Sequence, residues 1–151
     1  SHDHAAMEQV QAATTANPVL KNDKLNAVYQ HYIHLTTALT NGDVAEAKIA
    51  ANAIEAGSKS INGASGIASS AEKIMAAPDM AAQRTSYSGM SKDIAELIKK
   101  EGLSGGELYV AFCPMALNDK GATWISGSRE IRNPYFGEKM LGCGEVKETI
   151  K

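Results

Sequence analysis

The stretch DKLNAVYQHYIHLTTALTN, residues 23–41, has a clear helical pattern. Its apolar residues recur at steps of three and four, the spacing that aligns side chains along one face of an α-helix. They are Leu25, Val28, Tyr32, Leu35 and Leu39. Asp23 is suited to cap such a helix at its start, and Asn41-Gly42 is suited to end it. The stretch therefore predicts a long helix with one buried stripe.

Two further helices have recognisable start signals. Asp43 is suited to cap a helix over residues 44–60, whose buried face is made of alanines and one isoleucine. Asp79 is suited to cap a helix over residues 80–101, which Gly102 ends. Small residues on a helix face allow a neighbouring helix to approach closely, so we expect these helices to pack against each other.

The region between these two helices is predicted to be irregular at first. Glycines recur within residues 57–68, and glycine weakens helices, so we expect a break or turn there. A short helix then stops before Pro78, because the residue before a proline avoids the helical conformation. Short connections between successive helices favour an antiparallel helical bundle for the first two-thirds of the chain.

The composition changes after residue 106. Residues 108–112 and 122–126 are rich in β-branched and aromatic side chains, which predicts two strands joined by a turn at residues 118–121. The predicted fold class is therefore mainly α: an antiparallel helical bundle with a small C-terminal β-hairpin and loop unit.

The N-terminal residues have no comparable pattern. Residues 1–20 are predicted to be a flexible tail, and residues 21–151 a single domain that carries the cysteines and methionines of interest in its C-terminal unit. His2 and His4 lie in this tail, where histidines bind divalent metal ions loosely. We expect this segment to be a flexible terminus rather than a metal-binding site.

Charge and motifs exclude several classes of function. The net charge is -2, with 15 Lys and Arg against 17 Asp and Glu and no basic stripe, so we expect no nucleic-acid partner. No apolar run approaches the roughly 18 residues of a transmembrane helix. The nucleophile elbow, the P-loop, the zinc-protease motif and the dinucleotide fingerprint are all missing from the sequence, so we predict no enzymatic activity.

The cysteines are the most informative residues. Cys113 and Cys143 are the two cysteines of the chain, and each has a methionine nearby in sequence, Met115 and Met140. Thiolate and thioether sulfurs are soft donors that favour Cu(I) and similar ions. Pro114 ends the preceding strand and fixes the direction of the chain. The first sulfur pair, Cys113 and Met115, is therefore expected at the end of that strand. These four residues are the candidate metal ligands.

Spacing alone leaves three interpretations of the cysteines open. A disulfide would close a loop of about 30 residues and stabilise the fold by roughly 3–4 kcal/mol on the chain-entropy model. A soft-metal site would use two or more of the four sulfurs. Two free buried cysteines would behave as small apolar side chains, and the methionines would then fill gaps in the core.

Three other residues are weaker candidates for a site. His31 lies at the edge of the apolar stripe and is a weak candidate ligand, whereas His34 points away from the stripe and is predicted to face solvent. Trp124 would shield a nearby sulfur site from water, but we expect it to be a core anchor because an indole buries a large area.

The C-terminal third resembles a known family. YVAFCPMA at residues 109–116, KGATWI at 120–125 and IRNPYFGEKMLGCG at 131–144 are similar to a bacterial domain family of unknown function. Its members are secreted or periplasmic, and related domains are attached to periplasmic adaptor proteins of copper and silver efflux systems. The resemblance extends over about residues 21–150, with a specific C-terminal motif and a generic helical half.

This resemblance implies export and a role in copper or silver handling. It implies that Cys113, Met115, Met140 and Cys143 bind Cu(I) or Ag(I), and that the protein acts as a buffer or as a donor to an efflux adaptor. It also implies a periplasmic or extracellular location, with attachment through a removed N-terminal segment or an upstream lipid anchor. The alternative is a non-catalytic interaction module with a structural Cys113–Cys143 disulfide.

Overall fold

The protein is described here by a computed structural model that covers residues 17–151. Within that range it is mainly helical, with small β-sheets, as the sequence predicts. The four main helices are α1 Asp23–Thr40, α2 Val44–Ser58, α3 Ser65–Ala76 and α4 Met80–Glu101. Each packs against the next one in the chain, and α4 also packs against the C-terminal sheet.

The predicted helix caps are mostly confirmed. The side chains of Asp43 and Asp79 accept hydrogen bonds from the backbone N–H groups of Glu46 and Ala82, at 3.0 and 2.9 Å. At the start of α1 the prediction was wrong by one residue. Asn22 is the cap, since its side chain accepts from Leu25 at 3.0 Å, and Asp23 is the first helical residue.

The glycine-rich break is shorter than predicted. Gly57 lies inside α2 and Gly66 inside α3, so only residues 59–64 form the turn between these helices. Both glycines serve close packing instead. A Cβ on Gly57 would lie 3.0 Å from Val28, and one on Gly66 would lie 2.6 Å from the Asp93 carboxylate. At these two positions a side chain would collide with a neighbouring helix, so glycine is needed for close packing rather than for a turn.

The C-terminal unit is a three-stranded sheet rather than a two-stranded hairpin. Strand β3 Leu108–Cys113 pairs on one side with β4 Ala122–Ser126, as predicted, and on the other with β5 Glu145–Ile150. Both pairings are antiparallel, and the β3–β5 ladder carries a register shift after Val110. Sequence reasoning missed β5, because its charged residues belong to an exposed edge strand and hide the apolar pattern.

The first described residues are ordered against the helices. Val19–Leu20 is strand β1, which pairs with β2 Leu103–Gly105, and Leu20 is buried. Residues 1–16, which hold most of the predicted tail with His2 and His4, lie outside the described part of the chain. Within residues 17–151 no helix combines the length and the apolar character needed to cross a bilayer.

Two tyrosines cover the free edge of β4. The hydroxyl of Tyr32 accepts the N–H of Ile125 at 3.0 Å, and the hydroxyl of Tyr135 donates to the carbonyl of Thr123 at 2.6 Å. Edge strands expose unpaired backbone groups, and these contacts satisfy two of them. The tyrosines therefore join the sheet to α1 and to the segment after β4.

An aromatic cluster connects the helices with the sheet. Neighbouring rings lie 5.3 to 6.4 Å apart along the series Tyr29, Tyr32, Tyr87, Tyr135, Trp124. These distances are typical of favourable stacked and edge-on aromatic pairs. Trp124 is 2% exposed, which confirms that it is a core anchor.

Candidate functional site

The two cysteines meet at the end of the sheet. Cys113 is the last residue of β3, and Cys143 lies just before β5, after a 3₁₀ turn at Gly137–Met140. Their Sγ atoms are 2.8 Å apart, and both are unbonded thiols. Cys113 is fully buried, whereas Cys143 is partly exposed.

This separation limits what the pair can hold as it stands. A disulfide bond is about 2.05 Å long, so oxidation would require the sulfurs to move together by less than one ångström. With each sulfur about 2.3 Å from an ion, a typical zinc–thiolate distance, the 2.8 Å gap would give a sulfur–ion–sulfur angle of only about 75°. Tetrahedral or linear coordination therefore requires the two thiols to separate.

The two methionines flank the cysteines in the chain but are partly exposed. Met115 is 45% exposed and Met140 is 37% exposed. The carbonyl of Met140 accepts the N–H of Cys143 at 3.1 Å, which places these two residues at the ends of one turn. Neither thioether is locked into the core, so burial does not fix the position of either sulfur.

The chain after Met115 adopts an unusual conformation. Leu117, Asn118 and Asp119 all have left-handed backbone angles, with φ of 55°, 58° and 66°. A left-handed conformation costs a residue with a side chain roughly 1–2 kcal/mol. The N–H of Asp119 donates to the carbonyl of Met115 at 3.2 Å, which closes this turn and fixes the direction of the chain beyond the first sulfur pair.

Asn133 organises the segment that carries Cys143. Its buried side-chain amide donates to the carbonyl of Cys143 at 2.8 Å. Its side-chain oxygen accepts the N–H groups of Tyr135 and Phe136 at 2.7 and 3.2 Å, and its own N–H donates to Leu141 at 2.8 Å. A single side chain thus holds both ends of the loop that leads to Cys143.

Arg84 anchors this loop to the helices. Its guanidinium donates from Nε to the carbonyl of Pro134 at 2.7 Å and from Nη2 to the carbonyl of Leu39 at 2.8 Å. Leu39 lies in the last turn of α1, where the negative end of the helix dipole favours a positive charge. Burial lowers the pKa of Arg84, and the two carbonyls offset part of that cost.

Sequence reasoning did not identify Asn133 or Arg84. Asn133-Pro134 is a dipeptide typical of a turn, which agrees with its place in the loop. The turn signal gave no indication that the asparagine is fully buried and bonded to Cys143. An arginine in a helix, 50 residues from its carbonyl partner in the chain, carries no local signal at all.

Histidines do not add to this site in the described structure. His31 is half-buried on α1, and His34 bonds Glu46 of α2 at 2.8 Å while remaining 41% exposed. Across residues 17–151 no three His, Cys, Asp or Glu side chains are grouped to hold a metal ion. Within that range, a shell of three or more side-chain ligands at the cysteines would draw on a ligand type outside that set, such as methionine sulfur.

The contact between the thiols also affects the titration of Cys143. The hydrogen bond with Cys113 raises the pKa of the Cys143 thiol, and burial and the charge of Cys113 act in the same direction. The Cys143 thiol therefore holds its proton more tightly than an ordinary cysteine does. A metal ion that binds this sulfur as a thiolate has to displace that proton, so binding is expected to strengthen as pH rises.

Comparison with known proteins gives one match. A family model described as "Protein of unknown function (DUF3347)" matches residues 28–106, just over half of the chain. The match runs from α1 to the turn before β3, so the segment with the four sulfur residues lies beyond it. No curated protein and no solved structure matches the chain.

Proposed function

Because this chain belongs to the DUF3347 family, whose description assigns no activity, its function has to be argued from its own residues, and we propose that it binds a soft monovalent ion, Cu(I) or Ag(I). The observation that carries the proposal is the approach of two thiols to 2.8 Å across 30 residues of sequence. Paired thiolates are strong ligands for such ions.

The four sulfur residues would provide two kinds of ligand. Cys113 and Cys143 would be the thiolate ligands, and the partly exposed Met115 and Met140 would complete the shell with thioether sulfur. Cys113 is fixed in β3, so the opening needed for an ion would come from the turn that carries Cys143. Partial exposure of that turn and of both methionines leaves the ion a route in and out.

The proposed location and partners rest on the resemblance of residues 109–144 to a family of unknown function, related domains of which are attached to copper and silver efflux adaptors. We propose that the protein is periplasmic or extracellular, attached to the membrane through a removed N-terminal segment or an upstream lipid anchor. There it would buffer copper or silver, or donate the ion to an efflux adaptor protein. The proposal includes no catalytic step.

A titration of the reduced protein with Cu(I) against a competing chelator tests the metal site. Cys113→Ser and Cys143→Ser should each lower the affinity at least about tenfold, equivalent to about 1.4 kcal/mol. Met140→Leu should lower it by a smaller factor. Met75→Leu is the matched control, because Met75 packs against the core on α3. Unchanged affinity in Cys113→Ser and Met140→Leu would exclude the proposed site.

The same 2.8 Å distance favours a second candidate function. If the pair is oxidised where the protein works, Cys113–Cys143 would be a structural disulfide in a non-catalytic interaction module, whose helical face binds a partner. Intact mass under non-reducing conditions, with and without thiol alkylation, distinguishes the two cases. A protein that is isolated fully oxidised, and that binds no Cu(I) after reduction, would support this second function.

A further inference from the structure

The two sulfurs of the pair differ sharply in access. Cys113 is fully buried in the central strand of its sheet, with β4 on one side and β5 on the other. Cys143 lies outside the ladder and is partly exposed. An attacking thiolate needs access to the sulfur it attacks, so the two ends of a Cys113–Cys143 disulfide would not be equivalent.

The residues beside Cys143 keep one side of it open. A Cβ on Gly142 would meet no atom within 4 Å, so the surface there is free of neighbouring groups. Gly144 is the opposite case. A Cβ on it would lie 3.0 Å from the carbonyl of Phe112 and 3.2 Å from the Trp124 ring, so that side is closed by the sheet. A second molecule can therefore approach Cys143 from the side of Gly142.

Approach does not require the loop to unfold. The bond from Asn133 to the Cys143 carbonyl holds the backbone of a residue that is already partly exposed. We propose that the cysteine pair exchanges electrons with a dithiol partner, and that the mixed disulfide always forms on Cys143, so that Cys113 is the leaving sulfur when the pair is reduced and the attacking sulfur when it is oxidised again.

The exchange balances without any further reactant. A partner thiolate attacks Sγ of Cys143 and forms a mixed disulfide. The Cys113–Cys143 bond breaks, and its electron pair leaves on Sγ of Cys113, which takes a proton from solvent. The partner's second thiolate then attacks the partner's own sulfur in the mixed disulfide and releases Cys143, which is also protonated. The protein gains two electrons and two protons, and the partner becomes a disulfide.

The reverse reaction closes the pair at the expense of a partner disulfide. Because only the reduced pair offers thiolates, this exchange would switch metal binding on and off, a consequence that rests on the proposed function. The preference for Cys143 does not depend on metal, so the two proposals fail separately.

Single-cysteine variants measure the access of each sulfur. Cys113→Ala leaves Cys143, and Cys143→Ala leaves Cys113. With 5,5′-dithiobis(2-nitrobenzoic acid), we expect Cys143 to react at least about 100-fold faster in the folded proteins, because rates follow access. In guanidinium chloride the two rates should converge, which controls for intrinsic reactivity. Equal rates in the folded variants, or a faster Cys113, would overturn the proposal.

The wild-type protein provides a test that needs no variant. The oxidised protein is treated briefly with glutathione, quenched with acid and mapped by peptide mass. Glutathione should be attached to Cys143, with Cys113 released as a thiol. Adducts on Cys113, or equal adducts on both, would overturn the assignment. A Cu(I) titration of the fully reduced protein is read separately, so loss of metal binding leaves this result unaffected.

Discussion

The side-chain amide of Asn133 donates a 2.8 Å hydrogen bond to the carbonyl oxygen of Cys143, ten residues further along the chain. The same buried side chain accepts two backbone N–H groups at the start of the loop. Asn133→Ala would leave these groups without partners inside the protein. We expect it to lower the free energy of unfolding by about 2–4 kcal/mol, measured by urea denaturation of the reduced protein.

The neighbouring residue provides the control for this loop. Arg132 is exposed, and Arg132→Ala should change the free energy of unfolding by no more than about 0.5 kcal/mol. Comparable losses in the two variants would show that Asn133 has no special role in holding the Cys143 segment.

Two tyrosines one helical turn apart should respond differently to loss of the hydroxyl. Tyr32 bonds Ser91 at 2.7 Å and accepts the N–H of Ile125 at 3.0 Å, so Tyr32→Phe leaves buried groups unpaired. We expect a loss of about 1–3 kcal/mol. The buried hydroxyl of Tyr29 has no hydrogen-bond partner within the described residues, so Tyr29→Phe should be neutral or slightly stabilising. Thermal or urea unfolding measures both, and equal losses would contradict the assigned contacts.

The left-handed turn after Met115 offers a stabilising substitution. Asp119 is exposed and has a φ of 66°, which glycine adopts without steric cost. Asp119→Gly should therefore raise the free energy of unfolding by about 0.5–1 kcal/mol. Asp119→Ala keeps the unfavourable conformation and should not stabilise. If glycine and alanine give the same result in denaturant titrations, the turn does not store this strain.

The reduced protein should lose stability as pH rises through the thiol range. The pKa of Cys143 is raised in the fold, so the folded state holds that proton more tightly than the unfolded chain does. By linkage, the stabilisation is complete below the unfolded pKa of about 8.5 and is lost as pH rises through the folded value. Burial also raises the pKa of Tyr32 and Tyr87, which act in the same direction at higher pH.

Replacement of the thiol isolates its share of this effect. The urea midpoint of the wild type, kept reduced, should fall more steeply between about pH 8 and pH 10 than that of Cys143→Ser. The tyrosines are common to both proteins and cancel in the difference. Parallel curves would indicate that the thiol contact does not perturb titration.

The helical half of the fold was largely accessible from the sequence. Periodic apolar residues and the caps Asp43 and Asp79 gave helices whose ends agree closely with the structure. The predicted break at residues 57–68 was too long, because Gly57 and Gly66 lie within helices. In the sequence, a glycine that allows a neighbouring helix to pack closely cannot be distinguished from one that ends a helix. Which of the two it is depends on residues distant in sequence, here Val28 and Asp93.

The candidate site was only partly accessible. The sequence identified the cysteines and methionines as a group, and Cys113 and Cys143 do come together. It could not give the 2.8 Å separation or the difference in burial, since both depend on β5 lying beside β3. The roles of Asn133 and Arg84 were inaccessible for the same reason, because their partners are carbonyl groups that any residue type provides.

The position of Trp124 makes its intrinsic fluorescence a probe of the cysteine pair. It is the single tryptophan of the chain, and its indole ring closes the protected side of Gly144, next to Cys143. Any rearrangement of that segment alters the surroundings of the only indole. Its emission should therefore follow the opening and closing of the sulfur pair in real time, with no dye attached and no residue replaced.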